Sequence, residues 1–102
     1  MQFEFDPVKS EANLEKHGID FWEAQELWEE PHFVIGTAFV VGEKREIVVG
    51  RIFGEYWTAV TTQRGRAVRI ISVRRASDKE RSAYDKNNSN QCRKFKLEMA
   101  II

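Results

Sequence analysis

Five arginines, Arg64, Arg66, Arg69, Arg74 and Arg75, crowd around one short apolar run between residues 61 and 75. The guanidinium is a planar, permanently charged fork of N–H donors that matches the oxygens of a phosphate. Any one of them taken singly reads as a surface ion-pair partner. Taken together they read as an anion-binding strand, with Arg64 at a turn and Arg74 at a strand end as the best-placed phosphate ligands. Side-chain alternation groups Arg66, Val68, Ile70, Ser72 and Arg74 on one face, and Ala67, Arg69, Ile71, Val73 and Arg75 on the other. Neither set is purely polar, so alternation alone does not choose the side that meets the core.

Other side chains able to move protons or hold charge lie outside this strand. Lys9, Asn13 and His17 are spaced four apart, which puts them on one polar helical face. His17 is of the residue type most often used as a general acid or base. In a last helical turn it equally suits capping of carbonyls and the helix dipole. Glu80 and Tyr84 are one turn apart on a later helix, where Tyr84 can pack its ring on the sheet and present its hydroxyl to a cleft. Trp22 falls off the apolar stripe of its helix, beside Gln25, Glu26 and Glu29, as a partner contact or a cover for a sheet edge. The two histidines stand in different elements and the one cysteine is near the end, so no metal-ligand spacing is present. There is no phosphate-binding glycine loop and no dinucleotide-binding glycine pattern. Hydrolytic chemistry would therefore fall to His, Lys, Arg, Glu and Tyr, with no cofactor.

The elements that must position these groups belong to one domain, since 102 residues hold one core. A hydrophobic fraction of 42% marks a globular chain. The start lacks signal-peptide character, no run is long enough to span a membrane, and a lone Cys92 fits a cytoplasmic protein. The net charge of zero conceals a split. Residues 1–60 carry five Lys/Arg and twelve Asp/Glu, net −7, and residues 61–102 carry eleven and four, net +7. That asymmetry predicts a bipolar surface, unless the two halves interleave in space.

Residues 2–5 alternate as a short strand. Asp6-Pro7 then starts a helix that stops at Gly18. Asp20 and Glu23 open a second helix, whose stripe Phe21, Ala24, Leu27 and Trp28 runs to Pro31. Strands follow at 33–41, 45–53, 56–63 and 66–75, joined by short turns that predict an antiparallel meander. A third helix over 76–86 carries Ser77 and Glu80 at capping-box spacing, and the Asn-rich segment 87–91 breaks it before a tail to residue 102. The expectation is an α+β domain over residues 1–86. It has one twisted antiparallel sheet in the order β-α-α-β-β-β-β-α, helices on one face and the other free to bind.

Phe3-Glu-Phe-Asp-Pro-Val-Lys9, Asn13-Leu-Glu-Lys-His-Gly-Ile-Asp-Phe-Trp-Glu-Ala24 and the arginine strand through Tyr84 together resemble the BrnT toxins of bacterial type II toxin–antitoxin pairs. The resemblance spans about residues 2–86 and implies a RelE-like fold. It also implies a translation-blocking endoribonuclease that cleaves RNA without metal. Such chemistry needs a base for the 2′-hydroxyl, an acid for the 5′-oxygen and cations for the phosphorane. The resemblance puts Arg64, Arg74, His17, Tyr84 and Glu80 in catalytic roles, and Lys9, Arg66, Arg69, Arg75 and Ser72 on RNA phosphates. It implies a BrnA-type antitoxin, meeting Trp22, that alone contacts DNA. A degenerate, non-enzymatic module binding RNA or protein is the alternative.

Overall fold

The computed structural model describes the backbone of residues 1–101 and the side chains of residues 1–89. In chain order the elements are β1 (Gln2–Glu4), α1 (Pro7–His17), a 3₁₀ helix (Glu23–Trp28), β2 (His32–Val40), β3 (Glu43–Ile52), β4 (Glu55–Arg64), β5 (Ala67–Arg75) and α2 (Asp78–Ile101). No described helix is long and apolar enough to cross a membrane.

The caps of α1 form as their residue types dictate. Asp6 accepts a hydrogen bond from the Val8 N–H at 2.9 Å, and Gly18, left-handed at φ 79°, donates its N–H to the Leu14 carbonyl. The expected second α-helix is instead a single 3₁₀ segment. Asp20 accepts from the Glu23 N–H at 2.8 Å, but with Pro31 close behind, the segment stays short. Its apolar side chains still do what the stripe predicts: Phe21, Ala24 and Leu27 are fully buried. The third helix does not stop at residue 87, because α2 runs on to Ile101. Asn87 donates its side-chain N–H to the Ala83 carbonyl inside that helix, so the asparagine satisfies the helix rather than breaking it. The roles of side chains in the tail beyond residue 89 lie outside the described residues.

The strands order as β1-β5-β4-β3-β2 in one sheet. The meander β2 to β5 is antiparallel as expected, but β1 pairs parallel with β5, so the sheet is mixed rather than antiparallel. The physical reason is that α1 and the 3₁₀ segment together bring the chain into β2 antiparallel to β1, and three hairpins then reverse it into a β5 that runs parallel to β1. β1 covers β5 only at residues 67–69, which leaves the β5 edge bare further along. Asn13 fills that gap. Its amide N–H donates to the Val73 and Ile19 carbonyls at 2.8 Å, and its oxygen accepts from the Val73 N–H at 3.2 Å. One side chain thus stands in for a missing strand residue.

Helices cover both faces of the sheet, not one. Val48, Ala59, Ile70 and Val73 form the core with Ile19, Phe21, Ala24 and Leu27 on one face. Their neighbours in register, Val49, Thr58 and Arg74, point the other way. There α2 lies across one end, with the Tyr84 ring 5.3 Å from Phe33 and 5.4 Å from Tyr56. Leu27 reaches the sheet only because residue 50 is glycine: a Cβ there would stand 2.9 Å from Leu27 Cγ. The hairpin at Val41-Gly42 has two residues, both at positive φ. That geometry suits the sheet twist but strains a β-branched residue such as Val41.

Candidate nucleic-acid interface on the open sheet face

One irregularity decides which arginines share a surface. Ser72 pairs with Val60 and Ile70 pairs with Thr61, so Ile71 is an extra residue in β5. Such a bulge inverts the alternation beyond it. Arg69 therefore falls on the face of Ser72 and Arg74, not with Val73 and Arg75 as simple alternation predicts. Val73 and Ile70 both turn into the core, which confirms the switch.

The face opposite the core carries a row across three strands: Arg45 on β3 pairs with Thr62 on β4, and Thr62 with Arg69 on β5. The outer members stand two strand spacings apart, about 10 Å, with the small threonine between them. Arg64 lies one row further, paired in register with Ala67, and its ion-pair partner Glu43 reaches it from β3. Ser72 and Val60 form the next row inward, towards α2.

Four arginines of this face meet a carboxylate, but the pairs are unequal. Arg45 contacts Glu43 at 3.4 Å, Arg69 contacts Glu4 at 3.3 Å and Arg64 contacts Glu43 at 2.9 Å, each with one donor, the first two part-buried and the third exposed. Single contacts that solvent still reaches contribute roughly 0–1 kcal/mol and yield to a better anion. Arg74 is held differently. It donates to both Glu80 oxygens, at 2.7 and 2.8 Å. Glu80 also accepts from the Thr58 hydroxyl at 3.0 Å and the Ser77 N–H at 2.7 Å, while Ser77 Oγ accepts from the Glu80 N–H. The capping box expected at the start of α2 is thus complete, and its acid also clamps Arg74. Arg74, Ser77 and Thr58 together hold the Glu80 carboxyl down to about 2. A carboxylate held so low neither gives nor takes a proton near neutrality.

The sequence-predicted residues therefore separate. Arg64, Arg69, Arg74 and Ser72 share the open face. Arg64 and Arg74 are six β4 residues apart in register, about 20 Å, so one phosphate cannot bridge them. Arg75 lies on the core-side face, stacked 4.7 Å from the Trp57 ring and paired with Glu55. Arg66 sits exposed at the β4–β5 hairpin. Tyr84 is 3% exposed, and burial pushes its phenol up. Among the described residues, no hydrogen bond or ion pair joins Lys9 or His17 to the arginine face. Trp22 is 70% exposed, away from that face. Arg45 and Thr62 are the site residues that sequence reasoning missed. Arg45 is twenty-four residues from Arg69 in the chain, and only the strand register joins them. The weak signal was its place in an alternating strand beside a cluster of arginines. Among the described residues, no group of three or more His, Cys, Asp or Glu is placed to hold a metal ion.

The fold and this surface define a class: a small α+β domain that buries one sheet face and lines the other with arginine forks. A family model matches residues 5–80, three-quarters of the chain, and is described as ribonuclease toxin, BrnT, of type II toxin–antitoxin system. The chain belongs to the BrnT family of ribonuclease toxins. The family implies RNA as substrate and an antitoxin protein as partner. A search of curated proteins gave no match.

Proposed function

We propose that this chain is a metal-independent endoribonuclease that blocks translation in the cytoplasm, built on a RelE-like sheet and neutralised by a BrnA-type antitoxin. One observation carries the reading: the row Arg45–Thr62–Arg69, with Arg64 beside it, on the part of this sheet face that lies away from the α2 end. A phosphate seated over Thr62 meets two guanidiniums, which supply the cations a phosphorane needs. Glu4 and Glu43, which those guanidiniums contact, are the proton acceptors this reading assigns to the site. Arg74 and Glu80 act as a fixed pair that locks α2 and closes one end of the trough, rather than as acid and base.

The test is cleavage of a structured RNA by the purified chain in excess chelator. Cleavage is expected to persist there. Activity that appears only with added magnesium or zinc overturns the metal-free mechanism. Tight RNA binding with no cleavage under any condition establishes the alternative, a non-enzymatic binding module.

A further inference from the structure

The second surface that the core leaves unexplained is on the opposite side, between α1 and the loop before the 3₁₀ helix. A cleft of about 470 Å³ opens there among Phe5, Pro7, Leu14 and Trp22, with Glu11 and Asp20 at its rim. Trp22 is 70% exposed and Leu14 44%, although the core has no need of either. The indole is nevertheless held: its ring meets Phe5 edge-on at 5.1 Å, and Phe5 meets the buried Phe21 at 5.7 Å. An exposed aromatic already fixed in orientation loses little freedom when a partner covers it.

The charges around the cleft name the partner's chemistry. At 100° per residue, Glu11 and Glu15 lie about 60° and 100° from Leu14 around α1, whereas Lys9 and Lys16 lie about 140° and 160° away. Among the described residues, Glu11, Glu15, Asp20 and Glu23 are in no ion pair. We propose that this cleft is the antitoxin-docking site, and that it takes a segment with one large apolar side chain flanked by Lys or Arg. The inference rests on the toxin–antitoxin reading for the identity of the partner, but not on the RNA site. Partner and substrate then occupy opposite sides of the molecule, so neutralisation works by something other than plugging the arginine row.

The experiment measures affinity of the cognate antitoxin for the full chain by calorimetry, with RNA cleavage by the free variants measured beside it. Trp22→Ser is expected to weaken antitoxin binding by about 30-fold or more, as loss of a central aromatic anchor does. The exposed double change Glu11→Lys with Glu15→Lys is expected to weaken it and to flatten its salt dependence. Phe53→Ser, at a hairpin tip that is 94% exposed, serves as the control and leaves affinity unchanged. RNA cleavage by all free variants stays at the parent level, so a chain that lacks nuclease activity fails the functional reading without touching this one. Antitoxin affinity within threefold of the parent for both Trp22→Ser and the Glu11/Glu15 variant overturns the proposal. So does a change in the oligomeric state of the free chain on Trp22→Ser, which would give the cleft to a second copy. Should Trp22→Ser lower the melting temperature, the charge variant alone decides.

Discussion

Which arginines matter depends on what each already holds. Arg45 and Arg69 have single-donor, part-buried carboxylate contacts, and Arg74 has a two-pronged one to a carboxylate with four donors. Arg45→Ala and Arg69→Ala are therefore expected to lower RNA cleavage at least tenfold with little change in melting temperature. Arg75→Ala, on the core-side face, leaves cleavage near the parent level. Cleavage retained in both Arg45→Ala and Arg69→Ala would remove the catalytic row from this sheet face. Glu80 gives a prediction about acid stability. Its carboxyl is held at about 2, below its ordinary value of 4.5. A depressed folded-state pKa means that its contribution to stability is fully present above about pH 4.5. That contribution is lost as pH falls from there to about 2. Glu80→Gln should accordingly be less stable than the parent at pH 6, with the difference shrinking between pH 4.5 and 2. Denaturant unfolding of both proteins across that range measures it. A constant difference at every pH would mean that the Arg74 clamp does not depend on the charge of Glu80.

At the scale of elements, the short β1 makes Asn13 a structural residue of β5. Removing its side chain leaves the Val73 N–H and two carbonyls without partners in a buried place. Each buried orphan costs about 1–3 kcal/mol, less where water reaches it. Asn13→Ala is expected to destabilise the fold by roughly 2–4 kcal/mol, read from the shift in the denaturant midpoint. A loss below 0.5 kcal/mol would show that water serves the β5 edge equally well. This residue also marks the boundary of what the sequence discloses. The caps at Asp6, Gly18 and Ser77 and the four-strand meander were legible because each depends on residues within a few positions of one another. Asn13 looked like one member of a polar face with Lys9 and His17, whereas its partner is sixty residues away. The bulge at Ile71 was invisible for a related reason. Nothing local marks an extra residue in a strand, yet it reverses the side on which Arg69 points. Helix coverage of both sheet faces likewise followed from where Tyr84 and Glu80 land, not from any periodicity in α2.

At the scale of the whole molecule, the opposed charges of the two halves are neither fully separated nor fully mixed. Glu4, Glu43 and Glu55 from the acidic half pair with Arg69, Arg64 and Arg75 from the basic half, so the sheet interleaves them. The acids of α1 and the 3₁₀ segment stay on the core-side face, across the sheet from Arg45, Arg64 and Arg69. The sheet itself thus divides an acidic side from a side that exchanges carboxylates for phosphates. RNA binding should carry the signature of that exchange. Two phosphates, one shared by Arg45 and Arg69 and one at Arg64, predict a slope of about −1.4 in a plot of log affinity against log salt for a single-stranded RNA. The internal carboxylates temper the gain from each contact, because every phosphate must displace one of them, but they do not hide the release of counterions from the RNA. Arg64→Ala, which removes the second of these contacts, should make the slope shallower by about 0.7. Binding titrations of a short unstructured RNA between 50 and 300 mM salt, taken as roughly the range over which such slopes are linear, give both values. A slope near zero in the parent would mean that the arginines keep their carboxylates when RNA binds, and the open face would then be a structural ion-pair lattice rather than an RNA site.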